Sequence, residues 1–449
     1  MAVAALTAHP PLTPGHARSG ATHTRKAGYA AIVILLTLLA CGPSGSIKLP
    51  GGSDGEDTGV DTGADTGADV LPGDTTVDTD TAEEPDKDAI YEAWFDETVM
   101  HTVDITIDDR NIRALNNDGR TYVEADVVVD GTTLAQVGLR LKGSSTYQDL
   151  NCSDGYCKAS FKIKTDEYLP DQKYGSLQRI TLNNMTTDYT QSKEVVVYNL
   201  LRDASQLGSR CSYARVTLNG EPWGLYANVE AMDDEWVERR FEDSSGNLWA
   251  TASSGADFTD TGMSRWEINT GTGEKDQLRR LTEALKVYQG DFFGELGGIM
   301  NADQFIEYWS WCAAVGNYDG YPFTGNDVIL YEDPLDDRRM VFMPWGTDES
   351  FDEYEVSGRI WWGAYTSLGY ACLADPACVT ELKTRIQANA DTTEGMDMLA
   401  RAQAAWDLSE ADVTTDPIRP FTPDYVWYYR DYYAAVIDGW PDYSRAQAQ

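Results

Sequence analysis

The feature that most constrains the fold is an abrupt change of composition near residue 89. From Gly51 to Asp88 the chain repeats Asp, Thr and Gly, with almost no large apolar side chains. Such a segment cannot bury enough apolar surface to offset the entropy lost on ordering, and its like charges extend it. We expect residues 41–89 to form a disordered acidic linker and residues 90–449 to hold the folded domain.

An export signal precedes this linker. Two basic residues are followed by an apolar run over 27–41, which is short for a membrane-spanning helix and typical of a signal-peptide core. The run ends in Leu38-Leu39-Ala40-Cys41, which resembles the bacterial lipobox. We expect residues 1–40 to be a lipoprotein signal peptide and Cys41 to carry the lipid, with an ordinary signal peptide as the alternative. Gly42 is compatible with anchoring at the outer membrane or surface of a Gram-negative cell.

The cysteines favour disulfides in an oxidising compartment. Without Cys41, six of the seven cysteines remain, and an even number in an exported chain indicates pairing. Their spacing suggests two local bridges and, by elimination, a third: Cys152 with Cys157, Cys372 with Cys378, and Cys211 with Cys312. Six buried thiols are the alternative.

Charge and histidine content exclude several functions. The formal net charge of -38 opposes binding to nucleic acids and to anionic membranes, so we expect membrane contact only through the lipid anchor. Three of the four histidines precede the apolar run, which leaves His101 in the mature chain. One histidine argues against a Ser-His-Asp triad and excludes a zinc site built on several imidazoles. The chemistry left for an enzyme is that of carboxylates, lysines or a metal.

Alternating apolar and polar residues predict strands at the start of the domain. The strands are expected at 103–107, 123–127, 137–141 and 158–164. Arg140 and Lys142 share one face of the third strand, and a tight turn follows at Gly143 and Ser144. In the fourth, Lys158, Lys162 and Lys164 share a face. These cations indicate a phosphate cradle, and a solvated strand face is the alternative.

The rest of the domain alternates helices and hairpins. Asp188 or Thr190 is expected to cap a helix over 192–201, and a second helix runs from 302 to about Gly316. Hairpins are expected at 213–218 with 224–230, around Asn219-Gly220, and at 328–331 with 340–343. Beyond residue 358 the pattern predicts helices. The fold class is therefore α+β, with a β-rich first part and a mostly helical second part.

The order of polar residues along the domain suits phosphoryl transfer. A basic turn and a strand lysine come first, then a helix glutamate, then Asp319, Asn326 and Asp348. In phosphoryl transfer a lysine held by a helix glutamate orients phosphates, one aspartate accepts the hydroxyl proton, and an asparagine and a second aspartate hold the metal. Neither a Walker A sequence nor a Gly-x-Gly-x-x-Gly loop is present. Asp319 precedes Gly320, and a simple turn residue is its alternative role.

Several stretches between Thr102 and Phe351 resemble the CotH kinases, atypical secreted relatives of the protein-kinase fold. The stretches are VGLRLKGSST (137–146), CKASFKIKTDEY (157–168), GSLQRITLNNMTTDYTQSKEVVVYNLL (175–201), YARVTLNGEPWGLYANVEAMD (213–233), GNLWA (246–250), VGNYDGYPFTGNDVILYEDP (315–334) and MPWGTDESF (343–351). The resemblance implies a two-lobed kinase-like fold, with a β-rich N-lobe and a mostly helical C-lobe. It also implies ATP with Mg²⁺ or Mn²⁺ as cofactors.

The resemblance also assigns roles to matched positions. Asp319 corresponds to the catalytic aspartate, and Asn326 and Asp348 correspond to metal ligands. The resemblance implies that ATP is bound by the basic strand end and turn, which are Arg140, Lys142, Gly143 and Ser144. It also implies that Lys158 is the nucleotide lysine and that Glu194 is the partner of this lysine on a helix.

One position departs from the family pattern. The family commonly has Pro-Trp-Asp-x-Asp where this chain has Pro-Trp-Gly346-Thr347-Asp348. Catalysis survives if the second aspartate is the ligand, which we favour, and is lost if the first is. We expect a kinase that phosphorylates Ser or Thr of a surface or secreted protein. The alternatives are an inactive surface scaffold or adhesin on the same fold and, with less support, a carbohydrate-active protein.

Overall fold

The computed structural model describes residues 86–144, 146–152, 157–351 and 364–449. The predicted signal peptide, Cys41 and all but the end of the linker lie outside the described residues. The first helix begins at Lys87, slightly before the predicted domain boundary. None of the helices within the described ranges is both long and apolar enough to cross a bilayer.

Seven strands form a closed barrel. They are β1 (Met100–Thr106), β2 (Val123–Val129), β3 (Thr132–Lys142), β4 (Ser160–Lys164), β5 (Arg179–Asn183), β6 (Cys211–Leu218) and β7 (Glu221–Val229). Their order is β1-β2-β3-β4-β5-β7-β6, and β1 closes the barrel by pairing in parallel with β6. The predicted alternation is confirmed, because Val103, Ile105 and Leu139 are buried in one cluster inside the barrel.

Four strands form a second sheet. They are β8 (Leu248–Thr251), β9 (Trp266–Thr270), β10 (Val328–Asp333) and β11 (Arg339–Pro344), in the order β11-β10-β8-β9. β10 and β11 are antiparallel, with Val328 opposite Pro344, which confirms the predicted second hairpin. This pairing places the residues just before β10 beside the residues just after β11.

Helices make up most of the remaining described chain. They are α1 (Lys87–Trp94), α2 (Asp109–Asn117), α3 (Lys193–Asp203), α4 (Asp234–Arg240), α5 (Asp276–Lys286), α6 (Ala302–Ala314), α7 (Tyr321–Thr324), α8 (Ser367–Ala374), α9 (Pro376–Gly395), α10 (Met398–Thr415) and α11 (Pro423–Gln447). Short 3₁₀ turns at Gly262–Arg265 and Pro334–Asp336 and a π turn at Phe292–Leu296 complete them. The α+β class is confirmed, as is the helical second part.

A large apolar core joins these helices to the outside of the barrel. Phe305, Ile306 and Trp309 of α6 are fully buried in it, together with Val197 of α3 and Leu225 of β7. Because α3 and α6 pack in the same core, the segments that lead into and out of them are held in fixed positions.

A buried carboxylate sets the start of α3. Asp188 is 0% exposed and accepts hydrogen bonds from the backbone amides of Ser192 at 2.6 Å and Lys193 at 2.7 Å. It also accepts bonds from the amide and the hydroxyl of Thr190. These bonds satisfy backbone amides at the start of α3, whose N-cap residue is Ser192 and not the predicted Asp188 or Thr190. They also fix Glu194 in the first turn of α3.

Two of the three predicted disulfides form. Cys152 bonds Cys157 and Cys372 bonds Cys378, whereas Cys211 and Cys312 are free and buried. The Cys211–Cys312 pairing is therefore wrong. Pairing by elimination takes no account of position: Cys211 opens β6, whereas the Cys312 sulfur on α6 faces Gly320. Burial raises the pKa of the Cys312 thiol to about 12 and that of Cys211 well above its usual value, so neither is a reactive thiolate.

Candidate active site

A cavity of about 660 Å³ opens between the edge of the barrel and the segments that flank β10 and β11. Most of its cations come from β3, β4 and β5, and its acids come mainly from the segments after α6 and β11. The cations include Arg140, Lys142, Lys162 and Arg179, and the acids include Glu194, Asp319, Asp327, Asp348 and Glu349. Opposite charges therefore line one cavity from different parts of the chain.

The turn after β3 requires glycine. Gly143 has a φ of +113°, and a Cβ there would lie 2.9 Å from both the Thr146 hydroxyl oxygen and the Tyr147 amide nitrogen. The Gly143 carbonyl accepts a hydrogen bond of 2.5 Å from the Arg120 guanidinium. This tight turn places Lys142, Gly143 and Ser144 on the wall of the cavity.

Lys142 and Glu194 are joined through one amide. The Lys142 amine bonds the side-chain oxygen of Asn183, whose nitrogen donates to the Glu194 carboxylate at 2.6 Å. Burial, and then the nearby Asp348, raises the pKa of Glu194 to about 8, while Lys142 opposes this rise. Burial also lowers the pKa of Lys142. The strand cation beside the helix glutamate is thus Lys142.

The predicted role of Lys158 is wrong. Its amine forms an ion pair of 2.5 Å with Asp416 and lies over the Tyr226 ring, and its side chain is 1% exposed. Lys158 does not line the cavity and does not pair with Glu194. β4 begins at Ser160, so the alternation used to orient the lysines does not extend to Lys158.

Lys162 is a cation without a counterion in the described part of the chain. Its amine forms no hydrogen bond or ion pair with the residues that the structure describes, and it lines the cavity. Burial, followed by repulsion from Arg140, Lys142 and Arg179, lowers its pKa from 10.5 to about 7, and Asp233 only partly opposes this. An anion in the cavity would supply the missing opposite charge.

A polyphosphate anion in this cavity should therefore bind more weakly as pH rises through about 7, because Lys162 loses its proton there. Between pH 6 and 8 we expect a loss of up to about tenfold in affinity by calorimetry. The free protein should show the reverse trend. Its stability should rise with pH between about 7 and 10.5, since only the unfolded chain keeps the proton there.

Two variants separate this effect from titration of the polyphosphate itself. Lys162→Met should flatten the pH dependence, whereas Lys164→Met should keep it, since Lys164 is already paired with Glu167 at 2.8 Å. If binding affinity changed equally with pH in Lys162→Met and in the native protein, Lys162 would not be the group responsible.

Asp319 and Asn326 meet on the opposite wall. The Asn326 side-chain nitrogen donates to the Asp319 carboxylate at 2.9 Å, which leaves the amide oxygen facing a Thr251 hydroxyl at 3.5 Å. The single turn of α7 lies between them, and its C-cap is Gly325, where φ is +65°. The Thr324 hydroxyl also bonds the Asp319 carbonyl at 2.6 Å. The long spacing therefore still brings the two predicted residues together.

Asp348 and Glu349 approach the same wall from the segment after β11. The Thr187 hydroxyl donates to Asp348 at 2.5 Å, and the Tyr318 hydroxyl donates to Glu349 at 3.0 Å. Burial, and then repulsion from Asp348, raises the pKa of Glu349 to about 7. Neighbouring carboxylates thus raise the pKa of Glu349, which marks a region of negative potential.

Sequence reasoning missed Asp327, which also lines this wall. Burial, and then repulsion from Asp319, Asp348 and Glu349, raises its pKa well above the usual value. In the sequence, Asn326-Asp327 before a strand is typical of a turn, so the only available signal was adjacency to Asn326.

The donor set fits a divalent cation shared with phosphates. Carboxylate and amide oxygens are the ligands that Mg²⁺ prefers, and Mg²⁺ usually takes one or two protein carboxylates plus phosphate and water oxygens. Across the described ranges, no three Asp, Glu, His or Cys side chains converge closely enough to hold a metal by themselves. Asn326 and Asp348 suit the shared arrangement. His101 lies outside this cavity and bonds Asp130 at 2.7 Å.

Comparison with known proteins gives the family. No curated protein matches the sequence. The family model described as CotH kinase protein matches residues 139–403, which include the basic turn, Glu194, Asp319, Asn326 and Asp348. The match covers more than half of the chain, and its kinase-like character agrees with a cavity that pairs a cationic wall with an Asp-Asn wall. The chain belongs to the CotH kinase family.

Proposed function

We propose that this protein is a membrane-tethered extracytoplasmic kinase with an atypical two-lobed fold. It transfers the γ-phosphoryl group of ATP to Ser or Thr of a surface or secreted protein. The observation that carries the proposal is the single cavity in which Lys142 and its neighbouring cations face the bonded pair of Asp319 and Asn326. Phosphoryl transfer needs this combination of phosphate-binding cations and an acceptor for the hydroxyl proton.

The cationic wall binds the triphosphate. Lys142, oriented by Asn183, and Lys162 attract the phosphates, and Gly143 and Ser144 allow close approach to the turn. Met232, Ile329 and Trp345 supply apolar surface for the base in the same cavity.

The acidic wall carries out the transfer. Asp319 accepts the proton of the substrate hydroxyl while the hydroxyl oxygen forms a bond to the γ-phosphorus. The bond between the γ-phosphorus and the bridging oxygen of the β-phosphate breaks, and ADP leaves. Asn326 and Asp348 would hold Mg²⁺ or Mn²⁺. The bound cation supplies charge neutralisation for the transferred phosphoryl group.

The tether and the cell location follow from the N-terminal sequence. A lipid on Cys41 and the acidic linker would hold the domain off the membrane at the cell envelope. The two disulfides favour an oxidising compartment.

Magnesium-ATP should stabilise the purified full chain against thermal unfolding. A ligand at 100 times its dissociation constant adds about 2.7 kcal/mol of stability, which a melting curve resolves easily. Lys142→Met should remove most of this gain, since it deletes the amine that Asn183 and Glu194 position. Label from γ-³²P-ATP should pass to the chain itself or to a Ser-rich surface protein.

The matched control is Lys286→Met, which removes an exposed lysine paired with Asp260 and should keep the full gain. Absence of nucleotide-induced stabilisation with both Mg²⁺ and Mn²⁺ would overturn the kinase proposal and favour a surface scaffold. Stabilisation by sugars alone would favour a carbohydrate-active protein.

A further inference from the structure

The departure at Gly346 has a structural counterpart in Asp327. Gly346 has a φ of +61°, and a Cβ there would lie 2.4 Å from both the carboxyl carbon and one oxygen of Asp327. A Cβ at such distances would displace the Asp327 carboxylate, and the positive φ would strain a residue that carries a side chain. The Asp327 carboxylate therefore occupies the space that a side chain at position 346 would fill.

The two positions are neighbours because of the β10–β11 pairing. The Trp345 amide donates to the Asp327 carbonyl at 3.3 Å, and the Tyr308 hydroxyl bonds the same carbonyl at 3.3 Å. Because these two segments lie side by side, a carboxylate on either of them can reach the same point. Moving an acid from 346 to 327 therefore preserves its location in the cavity.

The Asp327 carboxylate is also available to a ligand. It lines the cavity and accepts no hydrogen bond from the residues that the structure describes. It lines the cavity together with Asp319, Asp348 and Glu349, whose negative charges repel it. A divalent cation at this point would reverse that repulsion, whereas no cationic side chain of the described residues pairs with Asp327.

We infer that Asp327 supplies the carboxylate that position 346 lacks, and that it binds the divalent cation together with Asp348. The inference rests on the proposed function, because the cation is the one that accompanies ATP. The metal ligand missing at Gly346 is then supplied from position 327 and has not been lost.

Mn²⁺ binding to the full chain tests this without measuring activity. Free Mn²⁺ is counted by its electron paramagnetic resonance signal in the presence of a non-hydrolysable ATP analogue. Asp327→Asn keeps the side-chain shape and should weaken Mn²⁺ binding at least about tenfold. The control Asp276→Asn removes an exposed carboxylate and should leave binding unchanged.

A reciprocal exchange makes the test independent of folding defects in one variant. Asp327→Gly combined with Gly346→Asp returns the acid to position 346, and aspartate tolerates the left-handed backbone there better than most residues. This double variant should recover Mn²⁺ affinity to within about threefold, whereas Asp327→Gly alone should not. A melting curve for each variant verifies folding.

The outcomes separate the two proposals. Native-like Mn²⁺ binding by Asp327→Asn, or a double variant as weak as Asp327→Gly, would overturn the inference and leave the kinase proposal standing. A native chain that binds no Mn²⁺, with or without the ATP analogue, would overturn both.

Discussion

Asp319→Asn should slow phosphoryl transfer by about 10² to 10⁴-fold while leaving ATP binding almost intact. The substitution keeps the size of the side chain and removes the oxygen that accepts the hydroxyl proton. Asp319 is bonded to Asn326 and held by the Thr324 hydroxyl, so an asparagine there can keep the local backbone. The expected loss is therefore in the rate at saturating ATP.

This loss is measured as transfer of the ³²P label at saturating Mg²⁺-ATP, with ATP-induced thermal stabilisation recorded in parallel. Asp303→Asn, which changes an exposed aspartate in the first turn of α6, serves as the control and should transfer at the native rate. A transfer rate within about threefold of the native one would show that another group accepts the proton.

Asp416→Ala should lower the free energy of unfolding by about 3–5 kcal/mol, because it leaves the Lys158 ammonium buried without a partner. The two side chains are 1% and 2% exposed. Asp416 also accepts the backbone amides of Leu225 at 3.0 Å and Ile418 at 2.9 Å, so the substitution leaves further donors unsatisfied.

Urea unfolding of the purified chain measures this effect. Replacing both partners, in Lys158→Met with Asp416→Leu, should cost less than Asp416→Ala alone, because no unpaired charge stays buried. Asp276→Ala breaks an exposed pair with Arg279 and should change stability by less than about 1 kcal/mol. A double variant no more stable than Asp416→Ala would show that the backbone bonds of Asp416, and not the ion pair, carry the stability.

Local patterns predicted much of this fold because their causes are local. Alternation predicts β1 and β3 since each strand buries one face, and the tight turn at Gly143 follows from its neighbours. Contacts between distant parts of the chain cannot be recognised in local sequence patterns. Lys158 finds Asp416 far along the sequence, and nothing near either residue indicates the pair.

The candidate site shows the same division. The order of Asp319, Asn326 and Asp348 could be recognised along the chain, and the structure brings these residues to one cavity. Asp327 could not be recognised, because its relevance depends on the close approach of Gly346 across the β10–β11 pair. The exchange of Lys158 for Lys142 beside Glu194 likewise depends on where β4 begins.

The closed barrel and the Lys158–Asp416 pair together limit how short a fragment of this protein can be and still fold. The family match spans 139–403, so a protein trimmed to those limits would lack β1, β2 and Asp416. Without β1 and β2, the edges of β3 and β6 would be exposed, which invites strand pairing between molecules. Without Asp416, Lys158 would be a buried charge with no counterion. The shared family segment is thus shorter than the folding unit, which extends to both sides of it.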